Sequence, residues 1–172
     1  MGGSWSTATG CLATKKDGGN AIPIDAANCG AYINDETFDN DSYAEVDIVS
    51  LTDFPGVLLR HNTDYYTVYA HSGGASVRCA HYDGGSFTAI TPNITTTVQA
   101  GDTLRAEISG QTITVKINDV EVGTFAASTY STSGPNGIYQ YGIETTTGSI
   151  TAWRGGNLAA AAGNPWNYYA QQ

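Results

Sequence analysis

The stretch AGDTLRAEISGQTITVKINDVEVGTF, residues 100–125, carries the clearest structural signal in this chain. Leu104, Ala106 and Ile108 alternate with Thr103, Arg105 and Glu107. Beyond Ser109-Gly110, Ile113, Val115 and Ile117 alternate with Thr112, Thr114 and Lys116. Successive side chains of a strand point to opposite faces, so an apolar face repeating every second residue marks half-buried strands. Asn118-Asp119 then leads into the run from Val120 to Phe125, and both dipeptides tolerate the positive φ of tight hairpins. Three consecutive antiparallel strands are expected here.

Similar runs extend in both directions. Upstream lie Tyr43 to Leu51, Val57 to His61, Tyr65 to His71, Val77 to Tyr82 and Ser86 to Ile90. They are punctuated by Asn62-Thr63-Asp64, Ser72-Gly73-Gly74 and Asp83-Gly84-Gly85. Downstream, Gly137 to Ile143 and Ser149 to Trp153 close the set. About ten short strands with a turn signal roughly every ten residues indicate an all-β, two-sheet antiparallel sandwich or jelly roll. The one stretch with helix propensity, Leu158 to Ala162, is too short to stand alone.

With 172 residues the chain fits one domain, and a domain near that length buries roughly 70% of its unfolded surface. Seven Lys and Arg against sixteen Asp and Glu give a net charge of −9. Nucleic acid is not an expected partner, because phosphate binding needs clustered positive charge. The same acidity argues against anchoring on an anionic membrane, and no apolar run reaches the roughly 20 residues of a spanning helix. The N-terminal residues, MGGSWSTATGCLATKK, do not read as a secretory signal. Cys11 and Cys29 flank a Gly/Asn-rich segment and would close a loop if oxidised, whereas Cys79 reads as a small core residue. Their spacing matches no zinc pattern.

The segment from Asn34 to Arg154 resembles the concanavalin A-like lectin and glucanase superfamily in its laminin-G-like form, the hairpin series at 100–123 being its most specific part. The resemblance implies two antiparallel sheets in a jelly roll. It further implies one of two settings, secreted carbohydrate-active proteins or bacteriophage virion proteins such as tail tips, fibres and capsid decorations. A chain with few charges, many Thr and Gly and an aromatic tail is similar to the second. On this reading 1–33 packs on the sandwich, 34–156 forms it, and 157–172 is an extended assembly tail.

The sharpest enzymatic motif is Glu45-Val46-Asp47-Ile48-Val49-Ser50, which looks like the opening of the laminarinase-type Glu-x-Asp-x-(x)-Glu pattern. Retaining glycosidases need a nucleophile and an acid/base about 5–5.5 Å apart. Val49 and Ser50 stand where the last Glu belongs, so Glu45 and Asp47 are read as outward residues of an ordinary strand and no catalytic residue is assigned. His61, His71 and His81 recur every ten residues. That interval reads as hairpin length rather than ligand spacing. Asp35, Glu36, Asp39, Asn40 and Asp41 form an acidic loop. Asp35, Asp39 and Asp41 are the only calcium candidates, but their spacing fits no EF-hand and a solvated turn reads better; no cofactor is expected.

If Val57, Leu59, Val68, Val77 and Cys79 point into the core, period two puts Arg60, Tyr65, Thr67, Tyr69, Arg78 and Tyr82 on the opposite, exposed face. Tyrosines beside arginines suit stacking on sugar rings or on another subunit. They are also ordinary strand-surface residues. Gly163 to Gln172 carries Trp166, Tyr168 and Tyr169, three rings that a solvated tail would leave wet, so the tail is expected to dock on a neighbour. The leading expectation is a non-catalytic structural component of a phage virion surface. It would be a capsid decoration or a tail or fibre protein, assembled in the host cytoplasm, with other virion proteins or its own copies as partners. The alternative is a glycan-binding, lectin-like module, extracellular and recognising surface polysaccharide; a divergent glycoside hydrolase comes third.

Overall fold

The computed structural model describes residues 5–7, 14–17, 20–23, 28–33, 36–52, 54–127, 133–141 and 150–159. Fourteen strands form among them: β1 (Trp5–Thr7), β2 (Thr14–Asp17), β3 (Asn20–Pro23), β4 (Asn28–Ile33), β5 (Ser42–Ile48), β6 (Gly56–Leu59), β7 (Asp64–His71), β8 (Ser76–Asp83), β9 (Ser86–Thr95), β10 (Thr103–Ser109), β11 (Thr112–Ile117), β12 (Val120–Ala126), β13 (Gly137–Tyr141) and β14 (Ile150–Asn157). They make two seven-stranded antiparallel sheets, ordered β1-β4-β13-β6-β7-β8-β9 and β12-β11-β10-β5-β14-β3-β2. The chain is therefore the all-β sandwich that its alternation predicts. No helix among the described residues is long and apolar enough to cross a membrane.

The hairpins on either side of β11 behave as their residue types require. Gly110 (φ +54) opens the two-residue turn between β10 and β11, and Asn118 and Asp119 (φ +50 and +65) form that between β11 and β12. Asn118 also ties the turn down, its Oδ1 accepting from the Thr103 amide at 2.9 Å and its Nδ2 donating to Asp102 Oδ1 at 2.8 Å. Asn118→Ala loses both bonds and places a poorer residue at positive φ, so it is expected to lower unfolding free energy by about 1–2 kcal/mol in urea titrations.

The core lies between the sheets. From the first sheet come Val57, Leu59, Tyr66, Val68, Ala70, Val77, Cys79 and Ile138; from the second come Ala44, Val46, Ile48, Leu104, Ala106, Ile108, Ile113, Val115 and Ile117. Cys79 is a free, fully buried thiol, and burial pushes its pKa up, as expected of an inert core residue. Strands β1 to β4 extend the sandwich by pairing. β4 pairs with β13, β1 pairs with β4, and β3 pairs with β14, so these strands widen both sheets.

Candidate functional site

Strand parity that sends Tyr66, Val68 and Ala70 inward leaves Tyr65, Thr67, Tyr69 and His71 on the outer face of the first sheet. Antiparallel pairing sets Tyr65 opposite Tyr82, Thr67 opposite Ala80, and Tyr69 opposite Arg78. β9 adds Phe87, opposite Tyr82, and Ala89, opposite Ala80. On the other side, β6 contributes Gly56 and Leu58, and β13 brings Tyr139 to register with Gly56. Gly56 is required there, because a Cβ would fall 2.5 Å from Tyr69 Cβ and closer still to the Val68 carbonyl. The missing side chain lets the Tyr69 and Tyr139 rings meet over β6, centroids 5.1 Å apart.

The rings tile this face. His61 stacks on Tyr65 (5.3 Å), Tyr65 on Tyr82 (5.0 Å), and Tyr82 tilts against Phe87 (5.1 Å). Phe87 reaches Tyr139 (6.0 Å), and Phe54 from the loop before β6 stacks on both His71 (5.6 Å) and Tyr141 (5.8 Å). Aromatic pairs at such separations add about 0.5–1.5 kcal/mol beyond their buried area. Between the rings opens a hollow of about 230 Å³ lined by Tyr69, Arg78, Ala80, Phe87, Ala89, Tyr139 and Tyr141.

The sequence places Tyr65, Tyr69, Arg78 and Tyr82 on one face, and the structure agrees. The expected exposure does not hold: Tyr65 is 0%, Tyr82 6% and Tyr69 8% exposed, because neighbouring rings cover one another. Arg60 does not belong to this face. Its φ of +52 breaks the alternation at the end of β6. The side chain turns inside, where Nε donates to the Asn40 carbonyl at 2.9 Å and Nη1 to that of Gly110 at 3.1 Å. Burial lowers its pKa, with nearby Asp41 acting in the opposite direction. Tyr139, Tyr141, Phe87 and Phe54 are the members that reading from sequence missed. Tyr139 and Tyr141 alternate with Ile138 and Gln140, so parity would have found them once β13 was known to lie beside β6.

Arg78 gives the hollow its polarity. Its Nε is buried and has no hydrogen-bond partner among the described residues. Burial pushes the Tyr69 phenol up, and the adjacent guanidinium pulls it part of the way back. His71 is held below its ordinary pKa by burial and by the same guanidinium.

The outer face of the second sheet is different in kind. Glu45 and Asp47 do point outward, and Arg154 clamps both, its Nη1 lying 3.1 Å from Asp47 Oδ2. Arg105 lies over the Tyr43 ring at 3.8 Å and pairs with Glu107 at 2.7 Å and Glu45 at 3.6 Å. Lys116 completes the ladder on Glu107 at 2.8 Å. The Arg154 hydrogen bond outweighs burial and holds the Asp47 carboxyl below the usual range. The two carboxylates of the glycosidase-like motif are thus bound into an ion-pair ladder.

Asp39 and Asp41 are structural ties. Asp39 Oδ2 accepts from Asn157 Nδ2 at 2.8 Å and Asp41 Oδ1 from the Gly110 amide at 2.9 Å. Among the described residues no group of three or more His, Cys, Asp or Glu is placed to hold a metal ion. Asp35, Cys11 and the tail residues Trp166, Tyr168 and Tyr169 lie outside the described residues.

No protein-family model matches the chain, and no curated protein sequence matches it. Solved structures do. The carbohydrate-binding module CBM66 from Bacillus subtilis superposes with a TM-score of 0.69 at 14% identity, covering 86% of this chain and 94% of that one. Xenopus laevis galectin-Ib gives 0.54 at 15% identity over 73% and 98%. A structure described as a native glycosidic hydrolase gives 0.56 at 12% identity over 83% and 78%. These likenesses show the two-sheet β-sandwich fold, and a fold shared by a carbohydrate-binding module, a galectin and a hydrolase does not choose a function.

Proposed function

We propose that this chain is a non-catalytic glycan-binding module whose saccharide occupies the Tyr69/Arg78/Phe87/Tyr139/Tyr141 hollow. The carrying observation is the hollow itself, with aromatic walls around a guanidinium that keeps an unused donor. A pyranose presents apolar C–H faces and a rim of hydroxyls. Aromatic rings cover the first, and the Tyr hydroxyls and Arg78 bond the second. At about 230 Å³ the space is below the roughly 300–1,000 Å³ of drug-sized ligand pockets and suits one sugar ring. Similarity to a carbohydrate-binding module and a galectin supports this reading over the virion role expected from sequence.

Catalysis is not part of the proposal. Among the described residues no carboxylate lines the hollow, and Glu45 and Asp47 are paired on the opposite sheet. Incubation with β-glucans, alginate and other polysaccharides is expected to generate no new reducing ends. Turnover abolished by Glu45→Gln would overturn that part.

The binding surface is tested by truncation. Tyr69→Ala and Phe87→Ala each remove a wall of the hollow and are expected to weaken saccharide binding by about 2 kcal/mol, roughly thirtyfold, as truncation of a buried aromatic anchor does. Calorimetric titration against a saccharide found on a glycan array reads this directly. Unchanged affinity in both variants would remove the hollow from consideration.

A further inference from the structure

We infer that the sugar ring seated in the hollow is an anionic one, a saccharide residue carrying a carboxylate or sulfate that Arg78 receives. This rests on the glycan-binding reading above and adds the ligand's charge.

The other described cations show why Arg78 stands apart. Arg105, Lys116 and Arg154 each sit against a carboxylate. Arg60 is spent on the carbonyls of Asn40 and Gly110 beside Asp41. Arg78 has none of these. Among the described residues no Asp or Glu lines its cavity, no carboxylate lies within 4 Å of it, and its Nε is buried without an acceptor. The chain has sixteen acidic residues against seven basic ones, so carboxylates are abundant, yet among the described residues none pairs with this guanidinium.

The surroundings are arranged to keep a charge complement out until a ligand supplies it. Ala80 and Ala89, flanking the hollow on β8 and β9, are too short to offer an acceptor, Phe87 has none, and the Tyr69 hydroxyl meets the guanidinium as a neutral phenol that supplies no charge. A guanidinium presents parallel N–H donors that match two oxygens of one carboxylate or sulfate, and charge-assisted pairs of this kind are about twice as strong as neutral ones. Within a partly desolvated pocket that pair selects strongly between a charged sugar and its neutral counterpart. His71, close enough to feel the Arg78 charge, would be relieved of that repulsion when an anion arrives.

The experiment titrates the full chain by calorimetry at pH 7 and low salt. The probes are oligosaccharides of glucuronate, galacturonate and mannuronate, sulfated glucose oligosaccharides, and neutral glucose, galactose and mannose oligosaccharides of equal length. At least one charged series is expected to bind ten times or more tighter than its neutral counterpart. The preference is expected to vanish in Arg78→Gln, charged and neutral probes then binding alike, and to shrink as salt is raised. The uronate and sulfate arms identify which acid group is received. Neutral sugars binding as well as charged ones would overturn the inference while leaving glycan binding in place. A charge preference retained in Arg78→Gln would overturn it as well. No binding by any probe would overturn both readings. Should Arg78→Gln fail to fold, Arg78→Lys keeps the charge but loses the fork, and an undiminished preference in it would overturn the two-oxygen geometry.

Discussion

Tyr66→Ala is expected to cost about 3–5 kcal/mol of stability. Tyr66 is fully buried in the core between the sheets, while its neighbour Tyr65 lies on the other side of the same strand in the aromatic layer. The two adjacent tyrosines therefore belong to different parts of the molecule. Truncating Tyr66 leaves a cavity that the surrounding β-branched side chains cannot close, because strands paired on both sides do not collapse inward. Guanidinium titration should show a lower midpoint with an unchanged slope. A loss under 1 kcal/mol would contradict the burial of Tyr66 between the sheets.

Acid is expected to weaken the fold in a window set by His61. Its ring is 7% exposed beneath the Tyr65 stack, and burial pulls its pKa down to about 4. An unfolded histidine titrates near 6.5. Between those values the unfolded chain binds a proton that the folded chain does not, so stability rises with pH there. The contribution is complete above about pH 6.5 and is lost progressively as pH falls toward about 4, by an amount on the order of 3 kcal/mol. His71, also depressed, acts in the same direction. Asp47 and Glu107 act lower, since their ion pairs hold both carboxyls below their ordinary values and their stabilisation is lost only as those carboxyls protonate. His61→Phe keeps the stack and removes the proton site, so its melting temperature should vary much less between pH 6.5 and 4.5. An unchanged slope in that variant would assign the acid sensitivity elsewhere.

Strand identity was legible from residue 42 onward because it is local. Alternation in Thr103 to Ile117 and positive-φ turn residues such as Gly84, Gly110, Asn118 and Asp119 each act within a few residues. The four N-terminal strands carry a weaker signal, since Gly18-Gly19 between β2 and β3 is a turn dipeptide but no sustained apolar alternation accompanies it. They are three to six residues long, and β4 finds its partner β13 about a hundred residues downstream. Parity also assembled most of the site, since it places Tyr65, Tyr69, Arg78 and Tyr82 on one side. It fails at Arg60, where a left-handed residue ends the strand, and it says nothing about cover. Which side a ring faces is a local property. Whether Phe87, Tyr139 and a loop residue such as Phe54 then close over it depends on sheet order, which sequence does not display.

Whether saccharide is held on the outer face of the first sheet can be read by mapping a bound glycan onto the assigned amide spectrum of the protein. Titration with a saccharide that binds is expected to shift Tyr69, Arg78, Ala80, Phe87 and Tyr139. The ladder of Glu45, Arg105, Glu107 and Arg154 on the opposite sheet should stay still, and the shifts should disappear in Tyr69→Ala. Shifts confined to that charged ladder, or no saccharide that perturbs the hollow at all, would contradict binding at this face.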